Sequence, residues 1–71
     1  MFKVYDIDNN AIECEILFMF EENDKKYIVY LDNLDNILAS FYEIDGDKLI
    51  LSPIYDDNDF DIVDREIMKR G

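Results

Sequence analysis

The chain contains no histidine and no tryptophan, and it has a single cysteine, a single proline and two glycines among its 71 residues. Because Cys14 is alone, an intramolecular disulfide is impossible, and the usual Cys and His ligands of a structural zinc site are missing. Histidine is also the side chain that normally titrates near neutral pH, and it is the usual base that activates a nucleophile. We therefore expect no enzyme activity, no cofactor and no metal site.

Basic residues are also scarce. Seven Lys and Arg residues face 18 Asp and Glu residues, which gives a net charge of -11 at pH 7. Such a charge repels nucleic-acid phosphates and anionic lipid surfaces, so we expect neither nucleic acid nor a membrane as a direct partner. A hydrophobic content of 49% is too high for a disordered acidic tail. The composition predicts one small folded domain over residues 1–71, whose partner is a protein with a basic or apolar surface.

Long hydrophobic runs are absent as well. The longest, at residues 16–20, is far too short to span a bilayer. The residues after Met1 do not combine a basic region with an apolar stretch, so we expect no export signal. Together with the free Cys14, these features favour a cytoplasmic location.

What the sequence does contain is a series of short strands separated by polar turns. Alternation of apolar residues with glutamates indicates the second strand, and a run of aromatic and β-branched residues indicates the third. Asp45-Gly46-Asp47 is typical of a tight hairpin turn, and Asp8-Asn9-Asn10 also predicts a turn. Leu17 and Met19 interrupt the alternation of the second strand, which indicates a covered second face or a bulge. The predicted strands are residues 2–6, 11–21, 26–31, 37–43 and 48–52.

The last segment changes to helical periodicity. Phe60, Val63 and Ile67 recur at helical spacing and are expected to pack on the sheet. Asp57 or Asn58 is expected to cap the helix N-terminus, where aspartates are frequent, and Lys69 and Arg70 come near its end. The predicted fold is therefore α+β, a five-stranded antiparallel meander with one C-terminal helix on one face.

Several of these segments, in this order, resemble the small acidic bacterial proteins grouped as domain of unknown function 1292. The resemblance covers nearly the whole chain, and its motifs consist mostly of packing residues. It implies the same fold and a cytoplasmic, bacterial setting, and it transfers no catalytic residue. The segments that carry it are Glu13-x-Glu15-Ile16-Leu17-Phe18-x-Phe20-Glu21, Lys26-Tyr27-Ile28-Val29-Tyr30, Ala39-Ser40-Phe41-Tyr42, and Leu51-Ser52-Pro53-Ile54 followed by an acidic stretch and a helix.

Two further features have structural interpretations. Asp6-x-Asp8-x-Asn10 begins like a calcium-binding loop, but Ala11 stands where the loop needs Gly, and Leu17 where it needs a bidentate Glu. We interpret the segment as a solvated turn. Cys14 lies on the apolar phase of the second predicted strand, between two glutamates that would raise its pKa, so we expect a buried small hydrophobic residue.

The later strands offer apolar residues to both faces of the predicted sheet, whereas one helix covers only one face. The other face must curl closed, pair with a second copy as a homodimer, or bind a partner. If the helix covers the face with Val29, Phe41 and Leu51, the opposite face carries four candidate interface residues, namely Tyr30, Leu38, Tyr42 and Ile50. The expected function is a non-catalytic protein-interaction or regulatory module. The alternative is an acidic mimic of nucleic acid that occupies a basic groove.

Overall fold

The computed structural model describes residues 3–70, which form one mixed five-stranded sheet and one helix. No helix within these residues has the length and apolar character needed to cross a membrane. The predicted positions of all five strands and of the helix are confirmed, although several bounds differ, and Phe2 of the first predicted strand lies outside the described residues. The elements are β1 (Lys3–Asp6), β2 (Glu15–Glu22), β3 (Lys25–Leu31), β4 (Ile37–Asp45), β5 (Lys48–Ser52) and α1 (Asp57–Arg70).

The strand order corrects the predicted meander. Strands β2 to β5 form an antiparallel meander as expected, but β1 pairs in parallel with β5 at the far edge of the sheet. The predicted second strand began at Ala11, whereas β2 begins at Glu15. The segment before it bridges back to β1 through Ala11 and Tyr5 and then passes from one edge of the sheet to the other. The α+β class is therefore right, and the all-antiparallel topology is wrong.

The segment at residues 11–14, which we call the crossover, explains why both faces of the sheet are apolar. On one face, Ile62 and Val63 of α1 pack on Tyr27 and Val29 of β3; we call it the helix face. On the other face, Ile12 and Cys14 pack against a second buried cluster, so we call it the crossover face. That cluster consists of Ile28, Tyr30, Leu49 and Leu51.

The interrupted alternation of β2 corresponds to a β-bulge. Ile16 lies opposite Tyr30, and Phe18 lies opposite Val29, so the register shifts between these two pairs. Because Tyr30 and Val29 are adjacent on β3, they point to opposite faces, and Ile16 and Phe18 do so as well. Leu17 is the extra residue of the bulge and is 44% exposed. Both sequence-based interpretations of this region, a bulge and a covered second face, are confirmed.

Two five-residue loops share one construction, Asp-x-x-(Asn or Asp)-Asn. In the first, Asp6 Oδ1 accepts the backbone N–H groups of residues 8 and 10, each at 2.9 Å. In the second, Asp32 Oδ1 accepts those of residues 34 and 36, at 2.8 and 2.9 Å. The fourth residue of each loop is left-handed, with φ of 65° at Asn9 and 62° at Asp35. The acidic segment at residues 6–10 is thus a self-bonded turn, as the sequence indicated.

The helix N-terminus corrects the predicted cap. Asp56, rather than Asp57 or Asn58, is the cap, since its Oδ1 accepts the N–H of Asn58 at 3.0 Å. Its carbonyl oxygen also accepts the N–H groups of Asp59 at 3.0 Å and Phe60 at 3.3 Å, and the second of these is the first bond of the α-helical pattern.

The buried side of α1 also differs from the predicted stripe. Val63 is buried and Ile67 packs against the helix-face cluster, as predicted, but Phe60 is 43% exposed. The buried residues next to this position are Asp59 and Ile62, so the helix is rotated toward them, by less than the roughly 100° that separates neighbouring residues, relative to the expectation. Hydrophobicity ranks Phe60 above Asp59, but the sheet provides hydrogen-bond partners for the buried carboxylate.

The rotation predicts unequal effects of two truncations on the helix. Ile62→Ala removes a side chain that is 3% exposed and should lower the free energy of unfolding by about 2–5 kcal/mol. Phe60→Ala should cost about 1 kcal/mol or less, because Phe60 lies at the surface. Urea unfolding of both variants measures the difference, and a larger loss for Phe60→Ala would contradict this docking of α1.

Candidate interaction surface

A buried carboxylate joins the helix to the sheet. Asp59, in the first turn of α1, is 4% exposed. Its Oδ1 accepts the hydroxyl of Tyr27 at 2.6 Å and the ammonium of Lys25 at 3.2 Å. The Tyr27 ring is itself held between two neighbours, stacked on Phe20 with ring centroids 4.8 Å apart and tilted against Phe41 at 5.2 Å. We call Lys25, Tyr27 and Asp59 the docking cluster.

The pKa values of two members of the docking cluster, Asp59 and Tyr27, are shifted away from neutral pH. The hydrogen bond from Tyr27, followed by that from Lys25, lowers the pKa of Asp59, against burial, which raises it. Burial and then the Asp59 hydrogen bond raise the pKa of Tyr27 to about 12. Neither shift brings a group toward neutral pH, where a general acid or base works best. The cluster joins the helix to the sheet through hydrogen bonds from Tyr27 and Lys25 of β3 to Asp59 of α1.

A groove of about 610 Å³ lies beside the docking cluster. It separates the β2–β3 hairpin from the β4–β5 hairpin, because the pairing of β3 with β4 ends at Tyr27 and Phe41. Lys25 and Lys26 line the groove together with Glu43 and Asp59. Because its charges have both signs, the groove selects no one class of ligand, and we assign it none.

The four residues expected to form an interface do not share one accessible surface. Tyr30 is 8% exposed, and its hydroxyl lies 3.2 Å from the Ser40 hydroxyl. Tyr42 is half-buried and packs on the crossover-face cluster, while Leu38 is 40% exposed. Ile50 lies opposite Glu43, which places it on the helix face of the sheet. The prediction that Ile50 shares a face with Tyr30 and Tyr42 is therefore wrong.

That expectation assumed that the helix covers the face with Val29, Phe41 and Leu51, and the assumption is right for two of these three residues. Val29 and Phe41 do lie on the helix face, whereas Leu51 lies opposite Tyr42 and belongs to the crossover face. Every residue from Leu49 to Leu51 is apolar, so periodicity alone could not assign their faces. The two-residue loop between Asp45 and Lys48 sets the register of this hairpin, and counting outward from it pairs Tyr42 with Leu51.

Five of the ten exposed large hydrophobic side chains among residues 3–70 lie at one end of the sheet. The first residues of β2 lie beside the last residues of β3, which lie beside the first residues of β4. Ile16 and Leu38 flank Tyr30 on the crossover face, and the Asp32–Asn36 loop joins β3 to β4 at the same end. We call the exposed residues here the sheet-end patch: Ile16 (39% exposed), Leu17 (44%), Leu34 (77%), Ile37 (59%) and Leu38 (40%).

Carboxylates surround the sheet-end patch. Glu13, Glu15 and Asp35 are exposed near it. The backbone N–H of Asn36, followed by its side chain, lowers the pKa of Asp32, which therefore stays ionised well into acid. The sequence-based candidates included only Leu38 from this patch. The overlooked signal was an apolar residue, Leu34, inside an otherwise polar turn and followed closely by Ile37.

Two other candidate groups have structural surroundings. Cys14 packs against the crossover-face cluster but is half-buried, whereas the sequence had led us to expect a buried residue, and burial raises the pKa of its thiol. Within residues 3–70, no three or more His, Cys, Asp or Glu side chains come together as a metal-binding group.

The docking cluster predicts a stability loss with a defined pH dependence. Tyr27→Phe removes a hydrogen bond to a buried carboxylate and should cost about 1.5–3 kcal/mol at pH 7. The matched variant Tyr55→Phe alters a side chain that is 85% exposed and should cost almost nothing.

The difference between wild type and Tyr27→Phe should shrink as the pH rises from 10 toward 12. The pKa of Tyr27 is near 10 in the unfolded chain and about 12 in the folded one, so wild type alone loses this contribution as pH rises. Urea unfolding at several pH values measures it. A difference that stays constant across this window would contradict the assignment.

Comparison with known proteins places the chain in a family. No curated protein and no solved structure matches it significantly. A family model described as "Protein of unknown function (DUF1292)" matches residues 8–70, which include β2 to β5 and α1. This match confirms the resemblance seen in the sequence, and its span leaves out β1, the strand whose pairing the sequence did not predict. The chain belongs to the DUF1292 family of proteins of unknown function.

Proposed function

We propose that this protein is a non-catalytic interaction module that binds another protein through the sheet-end patch. The observation that carries the proposal is the exposure of five large apolar side chains, 39–77% each, at one end of the sheet. An apolar patch with a polar rim is typical of a protein interface. The four residues first expected to form the interface contribute only Leu38 to this surface.

The charge around the patch favours a particular kind of partner. Carboxylates at Glu13, Glu15 and Asp35 attract a protein whose apolar contact zone has basic surroundings. Such rim charges mainly set the rate of approach and the choice of partner, while the apolar side chains supply most of the affinity. A free Cys14 is compatible with a reducing compartment, so we place the interaction in the cytoplasm.

A second candidate function rests on the outer surface of the helix. Asp57, Asp61 and Asp64 are exposed and follow one another at helical spacing, which makes a row of carboxylates. A nucleic-acid mimic would present such a row to a basic groove, and its affinity would fall steeply with salt. Binding through the sheet-end patch would depend on salt only weakly.

Capture of partners from a native lysate separates the two functions. The patch variant Leu34→Ser/Leu38→Thr should recover its specific partner about tenfold less well than wild type, because it removes apolar contact area. The matched control Ile7→Ser/Ile44→Thr changes the apolar residue of the other Asp-x-x-x-Asn loop and a residue near the opposite end of β4. Ile7 and Ile44 are 62% and 51% exposed, and this variant should retain the partner.

The helix variant Asp61→Lys/Asp64→Lys completes the comparison. We expect it to retain the partner as well, provided that circular dichroism shows all three variants to be folded. If the helix variant lost the partner and the patch variant kept it, the mimic would replace the interaction module as the function.

A further inference from the structure

The sheet has two edges, and residues 3–70 cover only one of them. Beside β1, the N–H of Ile12 donates to the carbonyl of Val4 at 2.9 Å, and Ala11 bridges to Tyr5. The outer edge of β1 is therefore hydrogen-bonded by the chain itself. At the other edge, β2 pairs with β3 on one side and has no strand on its outer side within residues 3–70. An open edge offers backbone N–H and C=O groups to an incoming strand.

We propose that the outer edge of β2 accepts an extended segment of a partner protein as a sixth strand, with basic residues at the ends of that segment and apolar residues between them. This inference rests on the proposed protein-binding function and names the mode of recognition. Main-chain hydrogen bonds to β2 would supply affinity, and alternate side chains of the segment would supply specificity.

The charge distribution along β2 favours such a partner. The strand reads Glu-Ile-Leu-Phe-Met-Phe-Glu-Glu, so it has carboxylates at both ends, five apolar residues in the centre and no basic residue. Glu15, Glu21 and Glu22 are all exposed. Glu21 and Glu22 lie opposite Lys26 and Lys25 of β3, but none of the ion pairs among residues 3–70 includes either glutamate. A segment with Lys or Arg at its ends would place opposite charges across the new ladder, and such cross-strand pairs are stabilising.

The same pattern disfavours a second copy of the chain. In a two-fold antiparallel pairing of β2 with itself, Glu15 of one copy would face the Glu21–Glu22 end of the other. Like charges directly opposite each other destabilise a sheet, and each copy already has a net charge of -11. The glutamates therefore prevent self-association at this edge and at the same time select for a basic partner.

The edge is continuous with the sheet-end patch. Ile16 and Leu17 belong to both, at 39% and 44% exposed. The bulge at Leu17 interrupts regular pairing, whereas from Phe18 to Glu22 the register with β3 is unbroken. The added strand is therefore expected to pair along residues 18–22 and to reach the patch with its remaining residues.

Two short synthetic peptides test the inference. Both have the same alternating Val and Thr centre; one has two lysines at each end, and the other has two glutamates. In titration calorimetry, the Lys-ended peptide should bind the wild-type protein about tenfold or more tightly than the Glu-ended one. Hydrogen exchange should show protection of the outward-facing backbone amides of residues 18–22 in the complex.

Reversing the charge of two glutamates on β2 tests whether the peptide binds at this edge. The variant Glu15→Lys/Glu22→Lys should reverse the preference between the peptides, since both glutamates flank the apolar centre of β2. The control Glu43→Lys/Asp45→Lys makes the same change in net charge on β4, away from this edge, and should keep the wild-type preference. Equal effects of both variants, absence of peptide binding, or protection outside β2 would each overturn the inference. So would self-association that protects the β2 amides without peptide.

The outcomes for the edge and for the patch are separable. If the patch variant loses its native partner while wild type binds neither peptide, the edge inference fails and the proposed function stands. If the Lys-ended peptide adds to β2 while the patch variant keeps its partner, the edge is supported and the patch is not the contact surface.

Discussion

The arrangement of this small domain depends on the hydrogen bonds that the buried carboxylate of Asp59 accepts. A charge taken out of water is costly unless it is paired and hydrogen-bonded, and here Tyr27 and Lys25 provide that pairing. A rotation of α1 by one residue would separate the carboxylate from both partners. The docking cluster thus fixes the rotation of the helix, which places Ile62 and Val63 in the helix-face core. At the other end of α1, the Arg70 guanidinium lies 4.3 Å from the centre of the Phe18 ring, so both ends of the helix contact the sheet.

With α1 on one face, the segment at residues 11–14 covers much of the other. Ile12 and Cys14 pack on the crossover-face cluster, which also buries Leu49 and Leu51. This coverage explains how strands with apolar residues on both sides exist in a highly charged chain. Of the large apolar side chains that stay exposed, five lie together at the sheet-end patch, and the others lie elsewhere on the molecule. The proposed interaction surface is the sheet-end patch, which the helix and the crossover leave exposed.

Local patterns in the sequence predicted the local structure well. Apolar, aromatic and β-branched residues between turn signals identified β3, β4 and β5, helical spacing identified α1, and the Asp- and Asn-rich segments identified the turns, because each depends on neighbouring residues. The pairing of β1 with β5 was missed because it joins residues far apart in the chain, and no local signal distinguishes it from a hairpin with β2. Phe60 was preferred to Asp59 because hydrophobicity contains no information about Tyr27 and Lys25, which approach from the sheet. Within the candidate site, only Leu38 was found, since burial of Tyr30 and the face of Ile50 depend on tertiary packing and register.

The most direct test is a double-mutant cycle between Tyr27 and Asp59, measured by urea unfolding at pH 7. Tyr27→Phe and Asp59→Ala should each lower the free energy of unfolding. The double variant should lose clearly less than the sum of the two, because the Tyr27 hydroxyl loses its partner once the carboxylate is gone. Strictly additive losses would show that the two groups do not interact and would contradict the docking of α1 through this contact.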